Sequence, residues 1–142
     1  MRELFLHELR DIYYAENKLV MALGRMAEAA TTEELKMAFQ THLQETRNQA
    51  SRLEQVFRSV GEDAEEVTCE AMDGLVEEGE EMVDETAPNS LTRDAGLIIS
   101  AQKVEHYEIA AYGSLRTLAR MLGYQEAARL LEQSLEEEKK TD

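Results

Sequence analysis

The chain has 142 residues and a formal charge of −15, with 30 acidic against 15 basic side chains. This balance argues against binding DNA or RNA, which needs clustered Lys and Arg on phosphates, and against an anionic membrane surface. One proline, no tryptophan, abundant helix formers and no alternating Val/Ile/Thr/Tyr runs predict an all-α fold.

The length suits a single domain, 1–142, with one core. No stretch approaches the roughly 20 apolar residues of a membrane span, and the opening MRELFLHELRDIYY reads as amphipathic helix without a signal-peptide pattern. A soluble, cytoplasmic protein is the expectation. The lone Cys69 allows no internal disulfide, fits a reducing compartment, and reads as a small apolar residue.

A first helix is expected over about 2–30. Phe5, Leu9, Ile12, Leu19, Leu23 and Met26 recur at the three-then-four spacing of a core-facing stripe, and Glu16 is the one position that breaks it. Thr31-Thr32-Glu33-Glu34 reads as a break with a new cap. A second helix over about 33–60 carries Leu35, Phe39, Leu43, Leu53, Val56 and Phe57 and stops near Gly61.

Residues 62–90 are very acidic and contain Gly74 and Gly79. Their narrow stripe of Met72, Leu75, Met82 and Val83 predicts a short helix within a long connection. Ala87-Pro88-Asn89-Ser90 ends that segment and caps a third long helix over about 91–122. Its stripe is Leu97, Ala101, Val104, Ala111, Leu115, Leu118 and Leu122, interrupted by Glu108. Gly123 supplies a turn into a last helix over about 125–140. Two hairpins with short turns, joined by a long crossover, predict a four-helix bundle of two antiparallel hairpins with a short extra helix in the crossover.

The hairpins resemble each other. A shift of 92 residues places Glu16 on Glu108, Leu23 on Leu115, Leu43 on Leu135 and Glu45 on Glu137, so the acidic pair is 29 residues apart in both halves. Carboxylates brought into a core without a partner cost several kcal/mol each, so inward glutamates call for a cation. Glu16, Glu45, Glu108 and Glu137, one on each long helix, would form an oxygen-rich pocket suited to a dinuclear iron or manganese centre. His42, one turn before Glu45, and Glu105, one turn before Glu108, are further candidate ligands. Gln49 is a weak ligand or hydrogen-bond partner. Glu137 lies in the run Glu136-Glu137-Glu138, where helix register can pass its role to either neighbour. Tyr14, Tyr107 and Tyr112 flank the proposed site, with aromatic packing the commoner role. His106 points away from Glu105 and suits a supporting or dimer contact, while His7 reads as surface.

The strings LRDIYYAENKLV, FQTHLQETRNQASRLEQVF, CEAMDGLVEEGEE and AQKVEHYEIAAYGSLRTLA resemble the YciE/YciF-type bacterial stress proteins of the ferritin-like superfamily across essentially the whole chain. The resemblance implies a homodimer of ferritin-like bundles with a carboxylate-rich di-metal centre and a part in stress responses. Leu4, Leu6, Ile98 and Ile109, off the main stripes, are candidates for covering by a second copy. The superfamily's usual ExxH motif is missing from the second and last helices: Asn48 follows Glu45 by three residues, Lys140 follows Glu137, and the histidine precedes its glutamate as HLQE. VEHYE supplies an ExxE pair instead. The expected function is a metal-carboxylate stress protein reacting with oxygen or peroxide; the alternative is a non-enzymatic helical dimer with a degenerate site.

Overall fold

The structure, a computed structural model, describes residues 1–141 and is all-helical. Five helices follow in order: α1 Arg2–Ala29, α2 Glu33–Ser59, α3 Glu70–Glu85, α4 Leu91–Met121 and α5 Gln125–Thr141. Side chains at three helix starts accept from a backbone N–H that has no intrahelical partner. Thr32 Oγ1 receives Leu35 N at 3.2 Å, Ser90 Oγ receives Arg93 N at 3.2 Å, and Cys69 Sγ receives Met72 N at 3.3 Å. Cys69 is therefore buried, as its apolar character suggests, and also caps α3. Gly61 and Gly123 stand at φ 78° and 77°, the left-handed conformation that ends α2 and turns α4 into α5.

The short turns make α1 and α2, and α4 and α5, close neighbours. Contacts of α2 with α5 and of α1 with α4 close these four helices into a ring, and α3 lies outside against α4 and α1. The ring encloses Phe5, Leu9, Ile12, Leu53, Phe57 and Leu115, all at most 1% exposed. Burying each such side chain contributes about 1.5–3 kcal/mol. Where α3 crosses α4, Gly96 admits Met82: a Cβ at Gly96 would collide with the Met82 Sδ and lie 2.8 Å from its Cγ.

Two details depart from the sequence expectation. On α4 the inward face after Glu108 continues through Tyr112, Leu115 and Ala119, leaving Ala111 and Leu118 half-buried. At 100° per residue, Tyr112 lies nearer to the Glu108 direction than Ala111 does. Of the proposed surface apolar residues, Leu4 and Ile98 are exposed, but Leu6 is buried and Ile109 partly so. Asp94 plays a part no motif announced. Buried at the start of α4, it accepts from Thr31 N at 2.6 Å and Thr32 N at 3.0 Å, pinning the α1–α2 turn to the second hairpin. Burial pushes its carboxyl up, but these backbone donors prevail and hold it below the usual range. Among the described residues, no helix is long and apolar enough to cross a membrane.

Candidate metal centre

Each helix of the ring sends acid or imidazole to the middle of the core. On α1, Glu16 occupies the slot between Ile12 and Leu19 and is fully buried. On α4, Glu105 and Glu108 are one turn apart, both buried. On α2 the inward line runs Phe39, His42, Thr46, Gln49, Leu53 and Val56, alternating steps of three and four, and its second to fourth members are polar. On α5 the line runs Leu131, Ser134 and Glu138.

His42, Glu108 and Glu138 each offer one ligand atom, and these atoms lie within 4.8 Å of one another. His42 Nδ1 is 3.9 Å from Glu105 Oε1. Glu16 Oε2 accepts from the Tyr112 hydroxyl at 3.0 Å. The remaining atoms are without donors: Glu16 Oε1, Gln49 Oε1, both oxygens of Glu108 and both of Glu138, together with His42 Nε2, have no hydrogen-bond partner.

The electrostatics follow from this crowding. Burial raises Glu16, with Glu108 and the Tyr112 hydroxyl opposing the rise. Burial, and then the charges of Glu16 and Glu138, hold Glu108 well above the carboxylate range. Burial and the nearby Glu16 push Glu138 up to about 8. Burial lowers His42 to about 4, which leaves a neutral imidazole with a lone pair to offer. Among the described residues no lysine or arginine pairs with Glu16, Glu108 or Glu138. Buried acids with vacant acceptor atoms, next to a neutral imidazole, are the donor set of a hard or borderline divalent cation.

Glu16, Glu105, Glu108 and His42 are thus gathered in the interior. Glu45 and Glu137 are placed differently. Glu45 is half-buried at the edge, where it accepts from Thr141 Oγ1 at 3.0 Å. Glu137 turns away to Arg52, which grips it with two bonds of 2.9 Å, and receives Gln49 Nε2 at 3.3 Å. Glu136 is exposed beside Lys139. Within the glutamate run it is Glu138 that faces inward, because it lies seven residues, close to two helical turns, after Leu131. The 92-residue shift then pairs Glu138 with Thr46 and His42 with Ser134, so the inner layer of the two hairpins is unequal. One hairpin supplies imidazole where the other has serine, and the other supplies carboxylate where the first has threonine.

Of the flanking tyrosines, only Tyr112 bonds to this cluster. Tyr14 donates to Asp73 at 2.7 Å, and Tyr107 donates to Asp11 at 2.8 Å with Cys69 Sγ 3.0 Å away, so both tie α3 or its start to the ring. His7 and His106 are exposed. An apolar cavity of about 440 Å³ between α1, α3 and α4 is lined by Leu19 and Val104, each one turn from a buried glutamate.

The described residues form an all-helical protein with a buried acid and imidazole cluster that could hold a metal ion. The chain belongs to the DUF892 family, a domain of unknown function whose profile matches residues 1–142. It is 49% identical to protein YciF of Escherichia coli K12 over 143 residues, covering 100% of this chain and 86% of that protein. The crystal structure of the E. coli stress protein YciF superposes with a TM-score of 0.94, covering 99% of this chain and 89% of that one. YcfI of Rhodopseudomonas palustris, described as a candidate structural protein, is 45% identical with a TM-score of 0.96 over 99% and 89% of the two chains. A Xanthomonas campestris protein is 26% identical with a TM-score of 0.76 over 98% and 84%.

Proposed function

We propose that this chain is a ferritin-like four-helix bundle, paired as a homodimer, whose core binds two iron or manganese ions and which serves in stress protection by reacting with dioxygen or peroxide. The observation that carries this is the set of fully buried, donor-free ligand atoms on four helices: Glu16, His42, Glu108 and Glu138. Leaving such groups unsatisfied costs about 1–3 kcal/mol each, and a bound cation relieves all of them together.

In this scheme His42, Glu108 and Glu138 would hold one ion, and Glu16 and Glu105 would serve the other. The bound metal supplies one-electron chemistry and a Lewis acid for an oxygen-based reactant. The remaining work belongs to the chain. Tyr112 fixes the Glu16 carboxylate by its hydroxyl, and leaves Oε1 free to bind. Glu105 lies on the Nδ1 side of His42 and favours a proton there, which keeps the Nε2 lone pair for the metal. Protons held by Glu108 and Glu138 leave when a cation arrives, so binding tightens as pH rises. The surrounding Ile12, Leu19, Leu53 and Leu115 exclude water, and the adjoining apolar cavity suits a small apolar reactant such as dioxygen.

One observation favours the structural alternative. The inner cluster gathers the four carboxylates Glu16, Glu105, Glu108 and Glu138 but the single imidazole of His42, one fewer than an ExxH-bearing site would provide. Titration of chelator-stripped protein with Mn²⁺, followed by electron paramagnetic resonance, separates the two. Saturation near two ions per chain, with at least one lost in both Glu108→Ala and His42→Ala, supports the metal centre. Manganese and ferrous iron that both stay free in the presence of the wild type would leave only the helical scaffold.

A further inference from the structure

We propose that divalent cations reach the interior cluster through the groove between α2 and α5, passing from the Glu45 carboxylate to the side-chain carbonyl of Gln49 and on to Glu138. This rests on the metal-binding reading above and gives Glu45 and Gln49 a transfer role in place of ligation.

The groove, of about 800 Å³, carries the polar side chains Gln40, Gln44, Glu45, Asn48, Glu137 and Thr141 on its walls, together with Lys140 and the apolar Met37. Two carboxylates stand at its floor, and they are not equivalent. Arg52 holds Glu137 from two sides, so that acid is neutralised and fixed. Glu45 accepts the Thr141 hydroxyl on one oxygen and feels Arg52 only through its charge, and it acts in turn on both Glu16 and Glu138 in the interior. It is the acid free to meet a hydrated cation in the groove while already in electrostatic reach of the buried ones.

Gln49 joins the two layers. It is fully buried, and its Nε2 is engaged by Glu137 at the rim. Its Oε1 is buried with it and has no partner. The same amide side chain reaches Glu138, which is also fully buried and which it favours as a carboxylate. A neutral carbonyl between two acids binds a hard cation weakly enough to release it inward. The other opening near the cluster, between α1, α3 and α4, has Asp84, Ser100 and Glu80, the last paired with Arg25, on its walls, but Leu19 and Val104, next to the buried glutamates, are apolar.

The test is the rate at which chelator-stripped full-length protein takes up Co²⁺, read from its visible absorption in a stopped-flow instrument. Glu45→Gln and Gln49→Leu should fill about tenfold or more slowly, the lower range of electrostatic steering effects, yet reach the wild-type final absorbance. Gln49→Glu should fill at least as fast as the wild type, which also guards against slow filling caused by misfolding at position 49. Glu80→Gln, an equal loss of charge on α3, should keep the wild-type rate. If the wild type fills and both slow variants match it, or if Glu45→Gln loses final occupancy, the transfer route is wrong and the metal centre stands. If the wild type takes up no cobalt, the metal-binding reading fails and the route with it.

Discussion

Glu108 has the least ordinary surroundings of any residue in the chain: fully buried, between Glu16 and Glu138, with no donor on either oxygen. Without metal it opposes folding; with metal it becomes an anchor. Glu108→Gln is nearly isosteric and removes the need to take up a proton on folding, so at neutral pH the metal-free protein should gain on the order of 1 kcal/mol or more in urea unfolding. The same variant should lose most of the increase in melting temperature that Mn²⁺ gives the wild type. Equal metal-induced shifts in variant and wild type would show that Glu108 does not bind the ion. Glu16 and Glu108 are legible in the sequence because each interrupts an otherwise apolar stripe. Glu138 is not, because after Leu135 the last helix has no apolar residue to phase the run of glutamates.

At the scale of the element, α2 is the instructive case. Its inward line from Phe39 to Val56 keeps strict three-four spacing while passing through His42, Thr46 and Gln49. That spacing, followed without regard to polarity, identifies all three; following the acidic residue instead leads to Glu45 at the rim. The helix boundaries were legible for a local reason, since Thr32, Ser90, Gly61 and Gly123 act through capping and backbone conformation near their own positions. Contacts between elements had no such signal. The Asp94 clamp joins residues more than sixty positions apart, and Asp94→Ala should cost about 1–3 kcal/mol by leaving two backbone N–H groups without their acceptor. Its lowered pKa sets the sign with pH: the contribution is present above the unfolded carboxylate range and is lost as pH falls through the folded value. The seat of Met82 on Gly96 gives a second test of packing. Alanine in mid-helix ordinarily stabilises relative to glycine by roughly 1 kcal/mol, but here Gly96→Ala should lower stability by about 1–3 kcal/mol, because Met82 must leave its place. A gain in melting temperature would show that α3 tolerates the shift.

For the whole molecule, the interior charges dictate an unusual pH profile. Glu138 titrates near 4.5 when unfolded and near 8 when folded, so the native state binds more protons between these values, and stability from this group falls as pH rises through 8. His42 works the other way, being lowered from 6.5 to about 4, but its contribution is complete above pH 6.5. From pH 6.5 to 8 only the raised glutamates still titrate, and metal-free protein should lose on the order of 1–2 kcal/mol across that window. Saturating Mn²⁺ should reverse the trend, since deprotonated carboxylates bind it better. A flat profile without metal would mean that the buried acids find partners in solution. Exposed Leu4, Leu91, Ile98 and Ile99 leave apolar surface for a second copy, and sedimentation should give twice the 16.1 kDa chain mass. A sharp monomer at micromolar concentration would contradict the pairing.

The central claim is that the interior acids hold metal, and the most direct measurement is anomalous diffraction at the manganese edge from crystals grown with Mn²⁺. Two strong peaks inside the ring, contacted by His42, Glu108 and Glu138 on one side and by Glu16 and Glu105 on the other, are the expected result. Crystals with manganese only on surface carboxylates, and featureless density between Glu16, Glu108 and Glu138, would contradict it.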